Sequence, residues 1–163
     1  AESLEKATGV SPKGYFDLLM ADSAFDSAVT FLGLALPRHE AVVWAAQALR
    51  ASGSQTSDSA GLRLFAGIDV WLHEPTEPHR RALWSVASEH EVNSPVKLLA
   101  CAIFFSGGSI APEDVAPVQP GPDICGKLAA AAILANAYLG EAPEEYLRAT
   151  LDAGAHIATG GKG

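Results

Sequence analysis

The chain has 163 residues, of which 48% are hydrophobic and 18% charged, and its 19 acidic and 11 basic residues give a formal net charge of −8. A domain of this length buries about 70% of the surface that its unfolded chain exposes, so the composition favours a packed globular protein over a disordered one. A negative net charge repels a phosphate backbone, and the densest basic cluster is only His79-Arg80-Arg81. We therefore expect no nucleic-acid partner.

The sequence shows no segment suited to crossing a bilayer. Its longest apolar run, Leu128–Leu139, contains Asn136 and is shorter than the roughly 20 residues that a spanning helix needs. No charged segment followed by an apolar one opens the chain, so no signal peptide is visible. Cys101 and Cys125 lie in apolar, helix-like segments typical of buried free thiols. These features predict a protein of the reducing cytoplasm without membrane insertion.

Helix signals follow one another along the chain. A weak candidate near Pro12–Met20 precedes apolar residues at helical intervals over 25–36, where Ser23 and Asp26 have the spacing of a capping box. Proline then marks helix starts, because its missing N–H has no intrahelical partner at the first helical position. These prolines are Pro37, Pro78, Pro95, Pro122 and Pro143. The segment GLRLFAGIDVWLH, from Gly61, is predicted as a further helix.

No segment shows the sustained alternation of a β-strand. We therefore predict an all-α fold, a compact irregular bundle of about seven helices in a single domain over residues 1–163, with an extended Gly/Pro connector at 106–122. Segments 41–49 and 128–139 are apolar nearly all round, which predicts that both helices are buried. The alternative is a short solenoid of two-helix repeats, because Pro37-x-x-x-Ala41 is echoed 41 residues later.

Two groups of ionisable residues are candidate sites. Asp69 and His73 are one helical turn apart, so they could form an acid/base pair or part of a metal site. Arg38, His39 and Glu40 lie in the first turn of an earlier helix and could form a binding edge with His73. For both groups the alternative is a purely structural role. Asp69 and His73 would then be a pair near a helix C-terminus, and residues 38–40 would be a solvated first turn. No metal-ligand or nucleophile motif accompanies them, so we predict no metal and no cofactor.

The segment FFSGGSIAPEDVAPVQPGPDI begins at Phe104 and combines a pair of adjacent glycines with four prolines. The glycines follow a predicted helix C-terminus, whose dipole has the wrong sign for a phosphate, so we interpret Gly107 or Gly108 as a left-handed helix end. The residues Pro117, Val118, Gln119 and Pro120 have the PxxP spacing of a polyproline ligand. Because no arginine flanks them, a stiff linker is favoured over a recognition motif, and its outer face is a candidate contact surface for a partner.

Three motifs carry a resemblance to a known family. In order, FLGLALPRHEAVVWAAQALR, VWLHEPTEPHRRAL and FFSGGSIAP resemble an uncharacterised bacterial family known only as a domain of unknown function, over roughly residues 25–140. The resemblance supplies no catalytic residues. It implies an accessory or adaptor role beside secretion-system components, including those of type VI secretion.

The leading hypothesis is a non-enzymatic, acidic, cytoplasmic protein that binds another protein through the Gly107–Gly121 segment and the first turn at Arg38–Glu40. One alternative is a small hydrolase or metal-dependent protein that uses Asp69 and His73 with Glu40 and His39. That alternative requires the four side chains to converge on one pocket. A further alternative is an immunity-type protein that neutralises a toxin.

Overall fold

The computed structural model describes residues 9–53, 58–90 and 94–161, and eight α-helices lie in these ranges without any strand. In chain order they are α1 (Pro12–Ala21), α2 (Phe25–Ala35), α3 (Arg38–Ala51), α4 (Ser59–His73), α5 (Glu77–Glu89), α6 (Pro95–Phe104), α7 (Ile124–Leu139) and α8 (Pro143–Ala158). The all-α prediction is confirmed, with the weak N-terminal candidate as the eighth helix. The remaining parts of the predicted 1–163 domain lie outside the described residues. None of the eight helices has the length and hydropathy needed to cross a membrane.

Most helix starts follow the signals in the sequence. Ser11, Asp58 and Ser94 each accept a backbone N–H bond from the residue three positions later, at 3.1, 2.6 and 3.2 Å. Each bond satisfies one of the donors that a helix start leaves without an intrahelical partner. The capping box predicted at Ser23 is wrong, because the backbone of this residue is left-handed (φ 54°) and α2 has no side-chain cap. Helix α7 begins two residues after Pro122.

Helix α7 lies at the centre of the bundle. It packs against α2, α3, α6 and α8, and its Ala129, Ala132 and Ile133 are fully buried. The prediction from its apolar run is therefore confirmed, and α3 is buried in the same way along most of its length. In a solenoid each repeat contacts only its neighbours, so the contacts of α7 with α2 and α3 show that the solenoid alternative is wrong.

Helices α2 and α7 cross at a pair of glycines. A Cβ atom placed on Gly33 would lie 2.7 Å from the carbonyl oxygen of Gly126 and 3.1 Å from the Cβ of Ala130. A Cβ atom on Gly126 would in turn overlap the backbone of Gly33. The close approach of the two backbones therefore depends on the absence of side chains at both positions.

Gly33→Ala should lower the free energy of unfolding by about 1–3 kcal/mol, because the added methyl group overlaps the rigid backbone of α7. Chemical unfolding measures this change. Gly67→Ala is the matched control, since its methyl group would meet only the flexible end of Leu83, at 2.9 Å. The better helix propensity of alanine should then leave the control unchanged or up to about 1 kcal/mol more stable. Equal stability of the two variants would contradict the close crossing.

Candidate functional site

The segment between α6 and α7 is an ordered loop that folds back on itself. The backbone N–H of Ile110 donates to the carbonyl of Val118 at 2.8 Å, which joins the two arms of the loop. The hydroxyl of Ser109 accepts bonds from the N–H groups of Ala111 at 3.1 Å and of Val118 at 3.0 Å. Residues 106–122, here called the connector loop, are therefore not extended throughout as predicted from the prolines.

Arg80 holds the start of the connector loop from α5. Its guanidinium group donates to the carbonyl oxygens of Phe104 at 2.5 Å and of Ser109 at 2.7 Å. It also donates two bonds of 2.7 Å to the carboxylate of Glu77, three residues earlier on the same helix. Arg80 is only 3% exposed, so its guanidinium group has lost most of its contact with water. The carbonyl and carboxylate acceptors satisfy its donors in place of that water.

Two further arginines bind carbonyl groups at the start of the loop. Arg81 donates to the carbonyls of Ser109 and Ala111, both at 2.9 Å. Arg38, in the first turn of α3, donates to the carbonyl of Ser106 at 3.2 Å. Hydrogen bonds to charged groups each contribute about 1.5–3 kcal/mol. Arg38, Arg80 and Arg81, here called the arginine clamp, thus fix the loop through its backbone.

Glu77 aligns two members of the arginine clamp. Its carboxylate accepts from Arg80 and also from the Nε of Arg81 at 3.0 Å. The hydrogen bond from Arg80 is the main reason that the pKa of the Glu77 carboxyl group is lowered. Partial burial opposes this shift, and Arg81 adds to it. A single carboxylate on α5 therefore keeps both guanidinium groups directed at the loop.

Aromatic rings cover the other side of Arg80. Its guanidinium carbon lies 4.6 Å from the centre of the Phe104 ring, within cation–π range. Trp84 stacks on the same ring, with centroids 4.2 Å apart, and Phe105 contacts Phe104 edge-on. Phe104 thus covers one face of the buried arginine, and Trp84 and Phe105 pack around Phe104.

Gly108 passes directly over the Glu77–Arg80 pair. Its backbone is left-handed (φ 72°), which confirms the prediction for one of the two glycines. A Cβ atom at this position would lie 2.8 Å from Oε2 of Glu77 and 2.9 Å from Nη2 of Arg80. At Gly107, in contrast, a Cβ atom would meet nothing within 4 Å. Glycine is therefore required at position 108, because the backbone there is left-handed and no space is left for a Cβ atom.

The far part of the connector loop faces outward. Val115 is 52% exposed and Val118 is 50% exposed, and Pro117 and Gln119 are exposed beside them. Pro120 is buried, and both backbone groups of Val118 are already hydrogen-bonded within the loop. A polyproline ligand needs both prolines on an accessible face, so the PxxP spacing serves the loop itself.

The two ionisable groups predicted from the sequence lie in different surroundings. The carboxylate of Asp69 forms an ion pair with Arg50 of α3, and within the described residues no hydrogen bond joins it to His73, which is exposed. His39 lies against Trp71, with ring centroids 5.7 Å apart, and Glu40 is exposed. In the described ranges no group of three or more His, Cys, Asp or Glu side chains is placed to hold a metal ion.

Two clefts among the described helices are lined by other residues. A groove of about 420 Å³ between α3 and α8 is walled mainly by alanines and the ring of Tyr146. A second, of about 310 Å³, lies between α1, α2 and α8. Asp69, His73, Glu40 and His39 line neither of them.

Both cysteines are free, and burial raises the pKa of each thiol, that of Cys125 to about 11. The reactive form of a cysteine is the thiolate, which burial disfavours. Cys125 is buried, as the sequence predicts for both cysteines, and Cys101 is only partly buried.

The structure thus defines a small helical protein with a loop fixed by one buried and two partly buried arginines. Residues 15–158 match the model of a family of unknown function, DUF6931, and because this is most of the chain, the protein belongs to that family. The expected membership of an uncharacterised family is confirmed. The chain has no match among curated proteins and none among solved structures.

Sequence reasoning did not find the residues that hold the loop. The spacing of Glu77 and Arg81 predicts an i,i+4 pair, which the structure confirms, but it gives no sign that both belong to a loop contact. The available signal was the cluster His79-Arg80-Arg81, which concentrates hydrogen-bond donors on one helix without indicating their acceptors. Arg38 was a candidate, and its partner was not predicted.

Gly108→Ala should loosen the connector loop and lower stability by about 1–3 kcal/mol, because alanine is strained at φ 72° and its methyl group would displace Arg80 or Glu77. Hydrogen exchange at the amide of Val118, which is bonded to Ser109, measures the loosening. Gly107→Ala is the matched control and should leave that amide protected. Similar exchange in both variants would contradict the close contact at Gly108.

Glu77 should make stability depend on pH in the acid range. Its pKa in the folded chain is lower than the usual 4.5, so its stabilising effect is complete above that value and is lost as the pH falls below it. Unfolding free energies measured from about pH 6 to about pH 3 should fall less steeply in Glu77→Gln than in the wild type. Glu89→Gln, at the exposed last residue of α5, should retain the wild-type slope. An unchanged slope in Glu77→Gln would refute the role of this carboxylate.

Proposed function

We propose that this protein is a non-enzymatic cytoplasmic adaptor that binds another protein through the connector loop and the adjoining first turn of α3. The main support for the proposal is that polar side chains of the three sequence motifs bind within the protein and hold the loop. Arg38, Glu77, Arg80 and Arg81 bind one another or the backbone of the loop, and the loop in turn exposes Val115 and Val118. The polar residues of the motifs thus hold a surface in place.

A loop held in this way suits protein recognition. Ordering a flexible segment at an interface consumes part of the binding free energy, and a segment that is ordered beforehand avoids this loss. Loops fixed on a rigid scaffold are frequent binding elements, and exposed apolar side chains grouped on a surface often mark an interaction site. The connector loop is fixed on the bundle and exposes Val115 and Val118, and Arg38 links it directly to the first turn of α3.

The setting we propose is a bacterial secretion system of the type VI kind. It rests on the resemblance of the PRHE, TEPHRR and FFSGGSIAP motifs to proteins found beside such components. The free thiols of Cys101 and Cys125 are compatible with a reducing cytoplasm.

The proposal predicts that a partner contacts the connector loop in cells that naturally produce the protein. A photo-reactive residue at the exposed position of Gln119 should cross-link to another protein, and Val115→Ser with Val118→Ser should reduce the yield about tenfold by removing apolar contact area. The matched control is Leu62→Ser with Val70→Ser, two equally exposed apolar side chains on α4.

The control variant should cross-link as well as the wild type. Loss in the control and not in the loop variant would move the contact to α4, beside Asp69 and His73, and would refute the proposal. Circular dichroism of both double variants verifies that the helices are retained.

A further inference from the structure

We infer that the partner of the connector loop presents an apolar cleft bordered by lysine or arginine side chains. This inference rests on the function proposed above and specifies the chemistry of the partner. It follows from the way in which the loop and its supports distribute their charged groups between the inside and the outside of the molecule.

The positive groups at the loop are turned inward. Arg80 is buried, Arg81 is only 21% exposed, and Arg38 is half-buried. Their guanidinium groups donate to backbone carbonyls of the loop, and residues 106–122 themselves contain no lysine or arginine. The guanidinium groups of this region thus lie against the backbone of the loop, and the loop itself adds no exposed lysine or arginine.

Apart from Glu77, which is paired with Arg80 and Arg81, the carboxylates at the loop are exposed. Glu113 is 82% exposed, and its carboxylate lies 4.0 Å from Arg81, at the outer limit of an ion pair. Asp114 is exposed next to it, and Glu40 is exposed in the first turn of α3 that Arg38 ties to the loop. The exposed part of the loop therefore carries two valines and two carboxylates, and the first turn of α3 adds a third exposed carboxylate.

An apolar surface with acidic neighbours selects a partner that offers both apolar contact area and positive charge. The valines require an apolar cleft that excludes water, and the carboxylates at the edge require positive groups opposite them. Charges at the rim of an interface act chiefly on the rate of association and on its salt dependence, while buried apolar contacts act on dissociation. The net charge of −8 repels an acidic partner at long range and attracts a basic one.

The test uses the full-length chain with the photo-reactive residue at Gln119, added to lysate of cells that naturally produce the protein and illuminated briefly. Cross-linking should fall about tenfold in Glu113→Lys with Asp114→Lys, and also in the wild type when salt rises from about 0.05 M to about 0.5 M. Glu144→Lys with Glu145→Lys is the matched control, since this adjacent exposed pair on α8 changes the net charge equally. The control should stay within about twofold of the wild type.

The outcomes separate this inference from the proposed function. Equal loss in both charge-reversed pairs, or yields independent of salt, would overturn the basic rim while leaving the loop as the contact. Cross-linking to a second copy of this chain, or to an acidic segment identified by mass spectrometry, would overturn it as well. If Gln119 captures no protein, or if only the α4 control variant loses capture, the proposed function itself fails. A lysine- or arginine-rich segment captured with the predicted charge dependence supports the inference.

Discussion

The buried guanidinium group of Arg80 is the interaction on which the surface of this protein depends. Transfer of a cation out of water costs several kcal/mol unless its donors find acceptors. Here the acceptors come from three parts of the chain: the carboxylate of Glu77 in α5, the carbonyl of Phe104 at the end of α6, and the carbonyl of Ser109 in the loop. The face of the Phe104 ring adds a cation–π contact. Because Arg80 is satisfied only when α5, the end of α6 and the loop are all in place, the loop conformation is coupled to the helical bundle.

The local structure could be predicted well, since its signals are local. Prolines and capping residues mark where helices begin, and the apolar run 128–139 identifies the central helix. The left-handed glycine follows from its place after a helix C-terminus. The contacts of Arg80 could not be predicted in this way, because its carbonyl acceptors lie 24 and 29 residues away. Backbone acceptors have no signature in the sequence, so no pattern indicates which arginine will bind them.

The partner of Asp69 could not be predicted from the sequence either. Helical spacing places Asp69 and His73 one turn apart, and periodicity indicates no more than that. Asp69 instead pairs with Arg50, which α3 brings beside α4 in the folded protein. An arginine is always charged and offers five donors in a planar fork that matches a carboxylate, so Arg50 is a strong partner for Asp69.

Helix α3 contacts both the connector loop and α4, the two regions that contain the other candidate residues. Its first turn binds the connector loop through Arg38 and contacts Trp71 of α4 through His39, and its last turn holds Asp69 through Arg50. The connector loop is therefore tied to α3 by a hydrogen bond, and α3 is tied to α4 by side-chain contacts. These ties would keep the contact surface that we propose in a fixed orientation relative to both helices.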